Sequence, residues 1–183
     1  MPDRLNRIVT RGGDKGETSL GDGGRVSKAD PRIALIGEVD ELNAWIGVVL
    51  AHQPGERTRA TLERVQHELF DLGGALSVPG APVLDETPVR RLDEAARALN
   101  AELAPLKEFV LPGGAPLVAF LHVARTVCRR VERAMVATFG DRAESRRAVP
   151  YLNRLSDFLF IAARVEARRA GAAEILWRRQ AKD

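Results

Sequence analysis

The sequence predicts an all-α protein, an antiparallel bundle of five helices behind a glycine-rich N-terminal segment. Five stretches place apolar residues at helical spacing, and each is bounded by proline, glycine or a capping side chain. The 45% apolar content comes with only 5% aromatic residues, a balance that suits helices better than sheets. At 183 residues the chain fits a single domain, 1–183, divided into an N-terminal segment (1–29), a helical bundle (30–170) and a C-terminal tail (171–183).

Residues 10–28 hold six of the 16 glycines and almost no apolar side chains, so this segment cannot build a core of its own. Helical patterning starts at Asp30-Pro31, an N-cap and first-turn pair, and Leu35, Val39, Leu42, Ile46 and Val49 form the inner stripe of a helix over 31–52. Pro54-Gly55 ends it. A second helix, 57–77, turns Leu62, Val65, Leu69 and Leu76 inward and stops before the Pro79–Pro82 loop. Thr87-Pro88 starts a third, 88–104, through Leu92, Ala95, Ala96 and Leu99. After the Pro105–Gly114 loop, a fourth spans 115–139 with Leu117, Phe120, Leu121, Ala124, Val127, Cys128, Val131 and Met135 on one stripe. The fifth runs from Pro150 to residue 170 through Leu152, Leu155, Leu159, Ala162 and Val165. Short connections make consecutive helices antiparallel, a ferritin-like up-down topology. Trp177 in the tail is expected to dock on the bundle or on a neighbouring subunit.

The net charge of +3 is too small to indicate nucleic acid, and aromatics suited to base stacking are scarce. The charge is uneven, however: residues 121–183 carry 14 basic and 7 acidic side chains, against 14 and 18 in residues 1–120. Arginine outnumbers lysine 24 to 4, which suits forked recognition of phosphate or carboxylate and equally fits a bias in genome composition. Cys128, the sole cysteine, excludes an internal disulfide and a CxxC metal site and reads as a small buried core residue. The first residues lack an apolar leader and no run approaches bilayer length, so the expectation is a protein of the reducing cytoplasm without membrane contact.

The fourth helix carries the sharpest chemical signal. Arg125, Arg129 and Arg133 fall at four-residue intervals, so a helix stacks them along one face, separate from its apolar stripe, with Glu132 beside Arg129. The row is either a solvated face laced with ion pairs or an anion site. In the glycine-rich segment Thr10, Thr18, Ser19, Lys28 and the backbone N–H groups around Gly12, Gly13 and Gly16 can line a phosphate chain, although no Gly-Lys-Ser/Thr of a Walker A loop is present. The alternative is a disordered basic tail. Asn153 and Asp157 share a face of the fifth helix, and Asp40 or Glu41 on the first can pair with a row arginine; surface hydrogen bonds and solvated charge explain the same residues. His52, His67 and His122 lack partners at metal-ligand spacing, so no protein metal site is expected. No Ser-His-Asp or Cys-His pattern points to covalent catalysis.

Six motifs in order resemble the PduO-type ATP:cob(I)alamin adenosyltransferases over essentially the whole chain. They are Thr10-Arg-Gly-Gly-Asp-Lys-Gly16, Ser27-Lys-Ala-Asp30, Val39-Asp-Glu-Leu-Asn43, Phe109-Val-Leu-Pro-Gly-Gly114, Ala124-Arg-Thr-Val-Cys-Arg-Arg-Val-Glu-Arg133 and Tyr151-Leu-Asn-Arg-Leu-Ser-Asp157. The resemblance implies a homotrimer of five-helix bundles with active sites between subunits. It implies ATP wrapped by Thr10, Arg11, Gly12, Gly13, Thr18, Ser19 and Lys28, with Arg129, Arg130, Glu132, Arg133 and Asn153 completing the nucleotide site. Asp40 and Arg125 resemble the family's intersubunit ion pair at the corrinoid pocket, and Phe109 its aromatic on the lower axial side of cobalt. Arg129, Phe109, Asp40 and Arg125 are thus the implied catalytic set. Two departures stand out: Gly12 replaces the usual threonine, and Glu17 and Ser19 replace the small or hydroxyl residue and the glycine more usual there.

The implied reaction moves the 5′-deoxyadenosyl group of ATP to the cobalt of cob(I)alamin, forming adenosylcobalamin and releasing triphosphate, with Mg²⁺ on the phosphate oxygens. Co(I) is itself the nucleophile, in keeping with the lack of a side-chain nucleophile. A cobalamin reductase and an adenosylcobalamin-dependent mutase are the implied partners. Two other readings of the residues stay open: an ATP-sensing helical module without corrinoid chemistry, and a basic bundle that binds RNA or DNA phosphates.

Overall fold

A computed structural model describes residue 9 and residues 11–179. Two short strands, β1 (Glu17–Ser19) and β2 (Arg25–Ser27), precede five helices: α1 (Pro31–Ala51), α2 (Glu56–Ser77), α3 (Glu86–Asn100), α4 (Pro116–Phe139) and α5 (Ala143–Arg169). Each helix runs antiparallel to the one before it. Asn43 of α1 faces Gln66 of α2, Glu68 of α2 meets Arg91 of α3, and Cys128 of α4 meets Leu152 of α5. α4 packs between α1 and α5, α3 lies along α5, and α2 closes onto α1.

The apolar stripes read from the sequence form the core. Leu42, Ile46, Val49, Leu62, Leu69, Leu121, Val131, Leu152, Leu155 and Leu159 lose essentially all contact with solvent. Cys128 is buried as expected, and its thiol donates to the Leu152 carbonyl at 3.2 Å. Burial pushes that thiol far above its ordinary range and makes it inert.

Two helix boundaries and the structure of the N-terminal segment differ from the sequence reading. α5 begins at Ala143, seven residues before Pro150, which therefore lies inside the helix. The missing proline N–H costs one ladder bond, but Pro150 is exposed and the preceding turns are anchored by buried Ser145 and Ala148, so packing outweighs the breaker. α3 is Glu86–Asn100 rather than 88–104, because Asp85 caps it, its Oδ1 accepting from the Thr87 N–H at 2.8 Å. The glycine-rich segment, finally, contains a two-stranded hairpin where no strand was expected, and it leans on the bundle.

One buried polar knot ties three helices. Glu68 of α2, 8% exposed, accepts from the Tyr151 hydroxyl of α5 at 2.9 Å and from the Arg91 guanidinium of α3 at 2.6 Å. Burial and the adjacent carboxylate hold the Tyr151 hydroxyl well above its ordinary pKa, so it stays a neutral donor. Tyr151→Phe leaves one Glu68 oxygen without its partner and is expected to lower stability by about 1–3 kcal/mol, read as a lower denaturant midpoint with an unchanged slope. An unshifted midpoint would show that water replaces the hydroxyl freely.

Candidate active site

The hairpin pairs Glu17 with Ser27, Thr18 with Val26 and Ser19 with Arg25. Its tip turns through Gly23 at φ +88° and docks where Gly21 donates its N–H to the Ser77 carbonyl at the end of α2, at 2.7 Å. A side chain at Gly21 would stand 2.7 Å from Val78 Cγ2, so glycine alone permits this approach.

The loop before β1 is held from three directions. Arg25 donates to the Gly12 carbonyl at 3.0 Å and to Glu17 at 3.3 Å, and the Lys28 N–H donates to the Gly16 carbonyl at 2.9 Å. The Lys28 ammonium lies against Gly13, only 2.9 Å from where a Cβ would be. With Arg11 at φ +57° and Gly16 at φ +82°, the segment is a turn of backbone N–H groups beside one lysine. Gly12, Gly13 and Lys28 therefore gather in one loop, with Arg11, Thr18 and Ser19 on the adjoining chain. Thr10 lies outside the described residues.

On α4 the three arginines of the row keep no carboxylate partner among the described residues. Arg133 donates only to the Arg129 carbonyl at 3.1 Å, and the Arg125 Nε is buried without a hydrogen bond. Burial, and then the neighbouring Arg129, weaken Arg125's hold on its proton. Arg130 turns away from the row toward α1, pairing with Glu41 and, at 3.8 Å, with Glu38. Glu132 is engaged as well, accepting from Asn153 Nδ2 of α5 at 3.2 Å. The carboxylate pairing expected between α1 and α4 thus falls to Arg130. Asp40 is exposed and its own chain brings it no described partner, so Asp40 and Arg125 do not meet within one chain.

Phe109 stands 77% exposed on the loop before α4. Its carbonyl accepts from the Trp177 N–H at 2.7 Å, and the Leu111 N–H donates to the Ile175 carbonyl at 2.8 Å. The tail thus docks on this loop. Sequence reasoning missed this ladder and the Arg25–Glu17 link. The Leu20–Gly24 turn between two short β-prone runs was the available hairpin signal for the latter.

The family profile described as cobalamin adenosyltransferase matches residues 8–166. A cobalamin adenosyltransferase of Cupriavidus metallidurans is 49% identical over 181 residues, covering 98% of each chain. The chain belongs to the cobalamin adenosyltransferase family. A corrinoid adenosyltransferase of Bacillus subtilis is 42% identical, covering 96% of this chain and 94% of its own. A phenylalanine-to-alanine variant of a PduO-type ATP:corrinoid adenosyltransferase from Lactobacillus reuteri, solved with cobalamin and ATP, superposes with a TM-score of 0.87 at 35% identity over 94% of this chain and all of that one.

In this cobalamin adenosyltransferase fold, His122 sits one turn before Arg125 on α4 and is 4% exposed, with Nδ1 unbonded. Burial, and then Arg125, hold its pKa below 6.5, with Glu174 opposing. The folded protein therefore favours neutral imidazole, and as pH falls the unfolded chain takes the proton first. Stability is full above a pH of about 6.5 and declines below it toward the folded pKa. His122→Leu is expected to flatten that acid-side decline in denaturation series between neutral and mildly acidic pH; an unchanged decline would assign it to other groups.

Proposed function

We propose that this chain transfers the 5′-deoxyadenosyl group of ATP to the cobalt of a reduced corrinoid, in sites completed between the subunits of a homotrimer. One observation carries the reading: on α4, Arg125, Arg129 and Arg133 share one face and have no carboxylate partner among the described residues, whereas Arg130 beside them is paired with Glu41 and Glu38 of α1. Stacked guanidiniums repel one another, so a row kept unpaired suits a polyanion supplied from outside.

The residues divide the work. Backbone N–H groups of residues 11–13 and the Lys28 ammonium cradle the phosphates, with Thr10, Thr18 and Ser19 as hydroxyl donors. Arg129 and Arg133 take the departing triphosphate, and Arg130, Glu132 and Asn153 keep the row's surroundings fixed through their bonds to α1 and α5. The carbon–oxygen bond at C5′ breaks as the Co(I) electron pair forms the cobalt–carbon bond, and its electrons leave on triphosphate. No side-chain base is needed. The described residues gather no group of three His, Cys, Asp or Glu side chains, so Mg²⁺ would arrive on the phosphates themselves, where it neutralises oxygen charge.

Phe109, apolar and exposed, covers the lower face of cobalt, where exclusion of an axial ligand eases reduction to Co(I). Asp40 of one subunit neutralises the half-buried Arg125 of the next, whose buried Nε finds no hydrogen-bond partner among the described residues of its own chain. A cobalamin reductase supplies the Co(I) substrate and an adenosylcobalamin-dependent mutase uses the product. The setting is the reducing cytoplasm, and no helix of the described residues is long and apolar enough to cross a membrane.

The test is an anaerobic visible-absorption assay with ATP, Mg²⁺ and chemically reduced cobalamin. Wild-type protein should convert the Co(I) spectrum to that of a light-sensitive alkylcobalamin. Arg129→Ala should lose about ten- to a hundredfold in rate, the worth of one charge-assisted phosphate bond. Binding of ATP with no spectral conversion would leave a nucleotide-sensing bundle.

A further inference from the structure

The loop that carries Phe109 has little packing to hold it. Phe109 is 77% exposed, Ile175 64%, Leu111 45% and Trp177 43%, and beneath them lies a cavity of about 200 Å³ lined in part by Leu111, Gly113, His122 and Arg164. A segment that buries so little apolar surface keeps one conformation only if polar ties fix it.

Two ties are present, one exposed and one buried. The exposed tie is the main-chain ladder, in which Trp177 donates to the Phe109 carbonyl and Leu111 to that of Ile175. The buried tie is Arg164 of α5, with a side chain only 7% exposed. Its Nε donates to Glu174 Oε1 at 2.7 Å, and its Nη2 donates to Glu174 Oε2 at 3.3 Å and to the Ala104 carbonyl at 3.0 Å. One guanidinium therefore grips the chain where it enters the 105–114 loop and again at the residue before Ile175. An ion pair with a buried guanidinium and a partly exposed carboxylate adds little net stability over an apolar pair, yet it is demanding in geometry, which suits it to setting a register.

We propose that Arg164 is a positioning residue for adenosyl transfer. By fixing Ala104 and Glu174 on α5 it sets the tail's register against residues 109–111, and that ladder holds Phe109 at the lower face of the corrinoid. This rests on the role given to Phe109 above. Arg164 itself touches no substrate.

The experiment uses full-length protein loaded with ATP and cob(II)alamin. Three quantities are read: the four-coordinate Co(II) fraction by electron paramagnetic resonance, amide hydrogen exchange at residues 109–111, and ATP affinity. Trp177→Pro deletes the N–H that bonds Phe109 and leaves the Arg164–Glu174 pair intact, while Trp177→Ala keeps that N–H. Trp177→Pro and Arg164→Met should both speed exchange at 109–111 and lower the four-coordinate fraction several-fold, toward the value of Phe109→Ala, with ATP affinity unchanged. Trp177→Ala should match wild type in exchange and in four-coordinate fraction. Faster exchange with an unchanged four-coordinate fraction would overturn the proposal, and so would equal losses in Trp177→Pro and Trp177→Ala. If Phe109→Ala itself leaves the fraction unchanged, the role of Phe109 fails and this proposal falls with it, whereas normal fractions in the tie variants alone overturn only the tie. Should Arg164→Met fail to fold, the Trp177 pair decides the matter.

Discussion

α4 has to satisfy two packing partners and still present a row of positive charge, and the rest of the structure is arranged around that demand. Its apolar residues feed contacts with α1 on one flank and α5 on the other, from Leu121 and Ala124 through Val131 to Met135. The remaining face carries Arg125, Arg129 and Arg133 at spacings where like charges repel by a few tenths of a kcal/mol per pair, a cost that the buried flanks offset easily. The residues flanking the row are tied down, Arg130 to α1 and Glu132 to Asn153 of α5. Among the described residues, the row itself keeps no carboxylate partner.

On the proposed mechanism, the placement of the other site residues calls for more than one chain. Arg32 at the start of α1 donates to the Leu76 carbonyl at the end of α2, and its guanidinium lies 4.9 Å from the centroid of the Phe139 ring at the end of α4. The hairpin docks beside this end, through Gly21 and Ser77. Phe109 stands at the opposite end, on the loop leading into the first turn of α4. A helix of 24 residues at roughly 1.5 Å per residue spans about 36 Å, farther than one nucleotide reaches. On the proposed mechanism, the phosphate cradle comes from one copy, and the arginine row and corrinoid aromatic that act on the same pair of substrates come from its neighbour. The Nε of Arg125 and the carboxylate of Asp40, both without a partner among the described residues, are what such an arrangement leaves unsatisfied or exposed in one chain.

Much of this was legible in the chain. Leu35, Val39, Leu42, Ile46 and Val49 repeat at helical spacing and all are buried, because an amphipathic stripe of that length has one stable destination. The arginine row was readable for the same geometric reason. Pro150 misled because a local rule about proline was outweighed by tertiary burial of Ser145 and Ala148. The partner of Glu17 was invisible because it depends on the cross-strand register of a hairpin with almost no apolar pattern. The grip of Arg164 on Ala104 and Glu174 joins three segments distant in sequence, and no spacing rule reports such a contact.

Subunit complementation tests the central claim most directly. Lys28→Ala disables the phosphate cradle and Arg129→Ala disables the row, so each variant alone should be nearly inactive in adenosyl transfer. Co-assembled from equal amounts of the two chains, mixed oligomers should regain about a quarter of wild-type activity, the statistical share of interfaces that join an intact cradle to an intact row from a neighbouring copy. If mixing restores nothing although exchange of subunits is demonstrated, cradle and row act within one chain and the account is wrong.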